Sequence, residues 1–421
     1  MMRSMSDAVS GLQAHQTWMD VIGNNIANVN TPGFKSGDVN FAAVFAQTLS
    51  AGSAPALGLG GTNPQQVGLG VGIGSISQNQ SEGALQQTGN PTNLAIQGNG
   101  YFVQDMGSQG TGYTRVGNFS FDSAGNLVSG ATGFKVMGWM PGATGALPAE
   151  NAATLQDIVI PQTVTHAPVA TSTVQFSGNL NATLAGSTTA TPVSLPVTVY
   201  DSLGNPLTLT FTFTPPTTAG STTWSWSAAL TNPPAGASLV SGSSGTVAFS
   251  TSGAYSSAGT TTGPVAVTVS GAAPLSITPD FTALTQYGSA TSAQAAGQNG
   301  YAAGTLQSLS VDSSGLITGH FTNGLSETLG QVALATFANP QGLVQQGQDV
   351  YVTGTNSGAP LVGAAGTGAA GTVVAGSLEG SNVDLASQFT QMIAAERGFQ
   401  ANAQVVTTAN TMLQTLVQLG Q

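Results

Sequence analysis

The residues able to do chemistry in this chain of 421 residues are its three histidines, its sixteen carboxylates and a few glycine-rich loops. His15, His166 and His320 lie in separate segments and share no metal-ligand spacing, and His15 falls one step off the apolar stripe of its helix. The carboxylates are dispersed, so an acid and base pair of the hydrolase kind is not readable from spacing. A short pattern recurs at Phe121 to Gly125, Tyr200 to Gly204 and Val311 to Gly315, each with Asp-Ser followed two residues later by Gly. A calcium loop needs several oxygen ligands at alternate positions, and each copy offers one carboxylate. A hairpin turn accounts for the pattern, with Asp and Ser closing it and Gly taking positive φ. Gly68 to Gly74 alternates glycine with apolar residues but fits neither the dinucleotide fingerprint nor the P-loop, and no Lys follows; it reads as a linker entering a strand. With no cysteine there is no disulfide, thiolate metal site or thiol nucleophile. The expectation is no catalytic residue, no metal and no cofactor.

Composition points the same way. Charged residues make up 5% of the chain, against about a quarter in ordinary soluble proteins. The surface must therefore be mostly hydroxyls and amides. The five basic residues, Arg3, Lys35, Arg115, Lys135 and Arg397, are scattered, and a net charge of -11 repels nucleic acid and anionic lipid. Neither nucleic-acid binding nor membrane insertion is expected. The amino terminus lacks the basic, then apolar, then small-residue order of a secretory signal, so export would use a route that reads no cleaved signal peptide.

The positioning elements are clearest at the two ends. Met5, Leu12, Met19 and Ile26 recur every seven residues with Val9 and Ile22 beside them, which predicts one amphipathic helix over the first 30 residues. Ser4 and Asp7 resemble a capping box, and Pro32 with Gly33 stops the helix. Near the other end, Ser381 and Asp384 form a cap-like pair. Steps of four and three then pass through Leu385, Phe389, Met392, Glu396, Phe399, Ala403, Val406, Asn410, Leu413 and Val417. A helix carrying that seam is roughly 55 Å long at about 1.5 Å per residue, so it must pack along something equally long. Two such stripes at opposite ends of the chain predict assembly through Met5, Leu12, Met19, Ile26, Leu385, Phe389, Met392, Phe399, Val406 and Leu413.

Between the helices the period changes to two, most plainly at Leu207, Leu209, Phe211 and Phe213 with threonines interleaved, which predicts a half-buried antiparallel strand. The fold class expected is mainly β with long α-helical termini: the terminal helices pair as a coiled coil, and a middle β-domain carries an inserted outer β-domain. Residues 1–75 and 376–421 form the helical ends with their linkers, 76–147 and 291–375 the discontinuous middle domain, and 148–290 the insertion, which is richer in Ser, Thr and Pro. Gly- and Ala-rich stretches at 51–74 and 357–376 are expected to be the linkers.

Four blocks carry a family resemblance. Asn24-Asn25-Ile26-Ala27-Asn28-Val29-Asn30-Thr31-Pro32-Gly33-Phe34-Lys35 resembles the signature of the bacterial flagellar rod, hook and hook-associated axial proteins, with Asn25, Ala27, Asn28, Asn30, Thr31, Pro32 and Gly33 as its core. The stretch from Glu379 to Leu416 is similar to the same family's other end, apart from Glu396 where Gln is usual and Gly398 where a further aromatic-flanking residue is usual. Gly89 to Phe102 resembles the start of the family's first β-domain, and Val197 to Asn205 resembles the outer domain of its hook branch.

What the resemblance implies is a structural subunit of the flagellar hook, a homopolymer forming a curved, flexible tube that transmits motor torque and encloses an export channel. Its implied partners are copies of itself, the distal rod protein, the hook-filament junction protein and a hook cap during growth. Its implied location is the hook and basal body region outside the cell, reached by the flagellar type III route. A distal rod subunit and a secreted β-rich glycan-binding protein or hydrolase stay open as alternatives.

Overall fold

The computed structural model describes residues 2–55, 60–142, 145–161, 163–187 and 189–419. Its contacts divide the chain into two units, one of Met1–Pro161, Leu309–Thr318 and Glu327–Gln421, the other of Gln162–Ser308 and Gly319–Ser326.

The first unit holds both long helices, α1 (Met2–Ala27) and α2 (Leu385–Leu419). Helix α1 already includes Ser4, so Ser4 and Asp7 are not its cap; Ser10 Oγ donates to the Asp7 carbonyl instead, inside the helix. Its far end turns over at Asn28, whose amide reaches the Asn24 carbonyl at 3.1 Å, and closes at Gly33, where φ is +74°. Asp384 alone caps α2, its carboxylate accepting the Ala386 amide at 3.0 Å. Ser381 accepts from Val383 one turn earlier.

Neither expected linker is a free connector. Strand Gly37–Ala43 pairs antiparallel with Val71–Gln78, and Ala46–Ser50 pairs with Gln65–Gly68, so a paired arm occupies most of 37–78. In the later stretch Leu361–Ala364 pairs with Ser326–Thr336, and Thr372–Ala375 pairs with Leu94–Gln97. Glycine content signals chain freedom, but these backbones satisfy their hydrogen bonds in ladders, and side chains are secondary there. The unit's β core packs Tyr101, Val103, Tyr113, Trp139, Ala333, Ala335 and Tyr351 together. Trp139 Nε1 is satisfied by the Asn151 carbonyl and the Thr154 hydroxyl.

In the second unit two five-stranded sheets enclose one core. One sheet is an antiparallel meander through Val193–Tyr200, Pro206–Thr214, Thr223–Thr231, Ser244–Phe249 and Tyr255–Thr261. The other contains Thr173–Asn179 running parallel to Leu275–Thr285. The alternation at 207–214 is realised in full: Leu207, Leu209, Phe211 and Phe213 are buried while the threonines between them face outward. Phe176 and Phe281 of one sheet meet Phe211, Phe213 and Trp226 of the other with ring centroids 4.8 to 5.7 Å apart, so the sandwich closes on interlocked aromatic rings.

Each Asp-Ser pattern is a hairpin turn. Asp122 Oδ1 accepts the Ala124 and Asn126 amides, Asp201 Oδ1 those of Leu203 and Asn205, and Asp312 Oδ1 those of Ser314 and Leu316. Gly125, Gly204 and Gly315 take φ between +76° and +85°. The hydrogen bond from Asn126 holds the Asp122 carboxyl below its ordinary range. At Asp201 burial pushes upward, but the bonds from Asn205 and the backbone outweigh it.

Candidate assembly interface

Helices α1 and α2 lie antiparallel, and small and polar side chains predominate along their buried faces, with Ile22 the one large apolar side chain fully buried on α1. Ala8, Gly11, Ala14, Ile22 and Asn25 are buried along α1, and Gln388, Ala395 and Ala409 along α2. A Cβ on Gly11 would come within 2.8 Å of the Asn402 side chain, and one on Gly398 would run into the His15 ring. Asn25 Nδ2 donates to Gln388 Oε1 at 3.0 Å across the pair. Residues 388, 395, 402 and 409 recur every seven, so the chain does contain a heptad contact, on a different stripe from the apolar one.

Both apolar stripes lie to one side of that contact, rotated by roughly 75° about each helix axis if the helices follow a 3.5-residue turn. Met5, Leu12, Met19 and Ile26 are half-buried, as are Met392, Phe399, Val406 and Leu413. Elsewhere along the same seam Leu385 is 39% exposed, Phe389 52% and Val417 61%, and Ile393 beside it is 59% exposed. On the other edge of the contact, Val405 and Met412 line a groove of ≈ 450 Å³ with Ser4, Ala401, Gln404, Thr408 and Ala409. The arm adds Phe41, Val44, Phe45, Leu49, Leu69 and Ile76, all exposed. His15, Trp18 and Phe41 cluster beside Gly398, with centroids 5.6 to 6.0 Å apart. The absence of a side chain at Gly398 makes room for the His15 ring.

The signature residues form a joint rather than a reactive site. Asn25 is buried, and besides Gln388 it donates to the Gly37 carbonyl and accepts the Gly37 amide, both at 2.9 Å. Asn28 bonds back to Asn24, and Thr31 donates to Asn28 Oδ1. Pro32 is half-buried, and Ala27 and Asn30 are exposed on the outside of the turn. Gly33 N donates to the Glu379 carbonyl at 2.8 Å, and a Cβ there would press on Val116. The turn thereby ties the end of α1 to the segment that leads into α2.

Beneath this joint sits a charge cluster that motif and spacing did not single out. Lys35 Nζ lies 2.6 Å from Glu379 Oε1 and donates to the Ser81 carbonyl, Arg115 Nη1 lies 3.6 Å from Glu379 Oε2, and the Gly83 amide donates to Glu379 Oε1. All three charged side chains are almost fully buried. Burial lowers the Lys35 pKa, and the bond to Glu379 opposes that. The chain has five basic residues, and two of them enclose one carboxylate here, a juxtaposition that no sequence pattern marks. Their separation of 80 residues, with Glu379 far downstream, hid it. Among the described residues no group of three His, Asp or Glu side chains is placed to hold a metal ion, and no helix is long and apolar enough to cross a membrane.

Four family models match the chain: flagella basal body rod protein at residues 5–35, flagellar hook protein FlgE/F/G D1 domain at 95–182, flagellar basal body protein FlaE D2 domain at 177–301, and flagellar basal body rod FlgEFG protein C-terminal at 374–419. The flagellar hook protein FlgE of Treponema pallidum is 40% identical over 469 residues, covering 100% of both chains. That of Borreliella burgdorferi is 37% identical over 456 residues, again covering 100% of both. The flagellar basal-body rod protein FlgG of Bacillus subtilis is 29% identical over 420 residues, 100% of this chain and 99% of its own. End-to-end identity is thus higher to these hook proteins than to this rod protein, and the matched models reach both helical ends and part of the β regions between them: the chain belongs to the flagellar hook protein FlgE family.

Proposed function

We infer that this protein is a structural subunit of the bacterial flagellar hook and that it polymerises with itself through its terminal helices. The observation that carries the reading is that α1 and α2 bury mainly alanine, glycine and amide side chains, with Ile22, and leave a band of large apolar residues along the pair partly uncovered. A soluble monomer gains nothing from holding Phe389 and Ile393 in water, whereas a neighbouring helix would bury them. The packing residues in this reading are Met5, Leu12, Met19, Ile26, Leu385, Phe389, Met392, Phe399, Val406 and Leu413.

In the assembly the helices of 1–75 and 376–421 form the inner layer around a channel. The β regions of 76–147 with 291–375, and of 148–290, form the middle and outer layers. The polymer is a curved tube that bends while turning and passes motor torque onward. Surfaces rich in hydroxyls and poor in ion pairs suit contacts that slide, because few bonds of fixed geometry must break as neighbours move. The distal rod protein, the hook-filament junction protein and a hook cap during growth are the further partners, and the subunit leaves the cell by the flagellar type III route. Electron microscopy of the polymer formed by purified protein tests the reading. Curved tubes with a central channel support it, straight rigid ones favour a rod subunit, and a protein that stays monomeric at every concentration refutes it.

A further inference from the structure

We propose that Asn99 is a site of spontaneous deamidation, a covalent modification that the native fold permits there and suppresses at the other two places where the sequence invites it. Asn-Gly is the dipeptide most open to this reaction, because glycine puts no side chain in the way of the ring that must close. The chain has three: Asn99-Gly100, Asn299-Gly300 and Asn323-Gly324. In each, the glycine amide nitrogen would attack the asparagine side-chain carbonyl carbon, lose its proton and expel ammonia. Water would then open the five-membered imide at either carbonyl, leaving aspartate or its iso-linked isomer.

The fold treats the three differently. Asn299 Oδ1 accepts the Ser172 and Thr173 amides at 2.9 and 3.0 Å, its Nδ2 donates to Ser172 Oγ at 2.8 Å, and the Gly300 amide is taken by Gln298 Oε1. Asn323 Nδ2 donates to the Ala302 carbonyl at 3.0 Å, its Oδ1 accepts the Leu325 amide, and the Gly324 amide donates to the Phe321 carbonyl at 3.0 Å. In both pairs the electrophile and the nucleophile are held by other groups. Among the described residues, neither the Asn99 side chain nor the Gly100 amide makes a hydrogen bond. Asn99 is exposed in the bend between Leu94–Gln97 and Tyr101–Asp105, and both residues line a surface cavity of ≈ 520 Å³. Gly100 takes φ +137°, a conformation that most side chains would resist.

The product would matter where it forms. The new carboxylate adjoins Gly98, whose amide already binds Glu82 Oε2 at 3.1 Å. The iso-linked form lengthens a loop whose carbonyls at 98 and 99 are held by Arg115 Nη2 and the Gly371 amide.

The test incubates the full chain, native and in denaturant, in mildly alkaline buffer and maps conversion at each asparagine by peptide mass spectrometry with enzymatic detection of isoaspartate. Freeing a side chain held by two hydrogen bonds slows the reaction, so the native chain should convert Asn99 at least about tenfold faster than Asn299 or Asn323. In denaturant the three rates should converge to within a few-fold. An Asn99→Gln variant should melt normally and lose the fast site. Native conversion at Asn99 no faster than at the other two overturns the proposal, and so does an Asn99 lead of the same size in denaturant, which would assign the preference to local sequence rather than to the fold.

Discussion

Placing a charge on the uncovered band of α2 should stop assembly without touching the stability of the subunit, and the exposure of each residue sets the size of the effect. Phe389 and Ile393 are 52% and 59% exposed in the isolated chain, so a neighbour that covers them removes roughly half of each side chain from water. Full burial of such a side chain contributes about 1.5 to 3 kcal/mol, so the half still available contributes about 1 kcal/mol at each position. Aspartate forfeits that gain and must also be desolvated, which costs about 2 kcal/mol or more where no partner is at hand. The sum for Phe389→Asp or Ile393→Asp is about 3 kcal/mol per subunit, which raises the concentration needed for polymerisation about a hundredfold. In the monomer both positions already face water, so thermal unfolding should move by no more than an ordinary surface substitution does, about 0.5 kcal/mol. Sedimentation across a concentration series, with calorimetry on the same samples, measures both quantities. An unchanged critical concentration in both variants would refute an apolar helical interface. Loss of the monomer's own transition would place those side chains in its core.

Three further outcomes follow from the first unit. Gly11→Leu puts a branched side chain where the Asn402 carboxamide already stands 2.8 Å from a bare Cβ, so the helix pair should separate, seen as lost helical circular dichroism with the β signal kept. Glu379→Ala leaves Lys35 and Arg115 buried without their carboxylate and should lower unfolding stability by about 3 to 5 kcal/mol in denaturant titration, much of which Lys35→Met combined with Glu379→Leu should restore. Burial raises the pKa of Tyr101, Tyr113 and Tyr351 above the ordinary phenol value of 10.0. The unfolded chain therefore releases these protons first, and their contribution is complete below about pH 10 and lost as pH climbs beyond it. Alkaline melting should show that decline together with a late, cooperative ultraviolet signal of phenolate formation; phenols titrating normally in the folded protein would contradict it.

Periodicity made the regular elements legible and said little about which stripe pairs within the chain. The strand at 206–214 could be read to the residue, because a side-chain period of two has only two faces and leucine and phenylalanine occupy one of them. The helices were legible as helices for the same reason. Their mutual contact was not, because a search for large apolar residues passes over Ala8, Gly11, Ala14 and Asn402, whose merit is that they are small or can share an amide bond. The glycine-rich stretches misled in the opposite direction: composition indicates that a chain can be flexible, and only long-range pairing, as between Thr372–Ala375 and Leu94–Gln97, decides that it is not. The Lys35, Arg115 and Glu379 cluster depends on such pairing throughout, since no local pattern links its members.

The register of the helix pair supplies the remaining step from monomer to polymer. Setting Gly11 against Asn402 and Asn25 against Gln388 brings Met2 level with Thr411. Ser4, near the start of α1, still lines the groove that Met412 enters. The last turns of α2 carry Met412, Leu416 and Val417, which are 53%, 56% and 61% exposed. A helix end with few tertiary contacts gains from a neighbour that covers it. The band along the pair and the apolar end of α2 thus present two surfaces to neighbouring subunits in the proposed polymer. Because one faces sideways and the other lies at the end of the pair, they favour growth in two directions, which a tubular wall requires and a closed dimer does not.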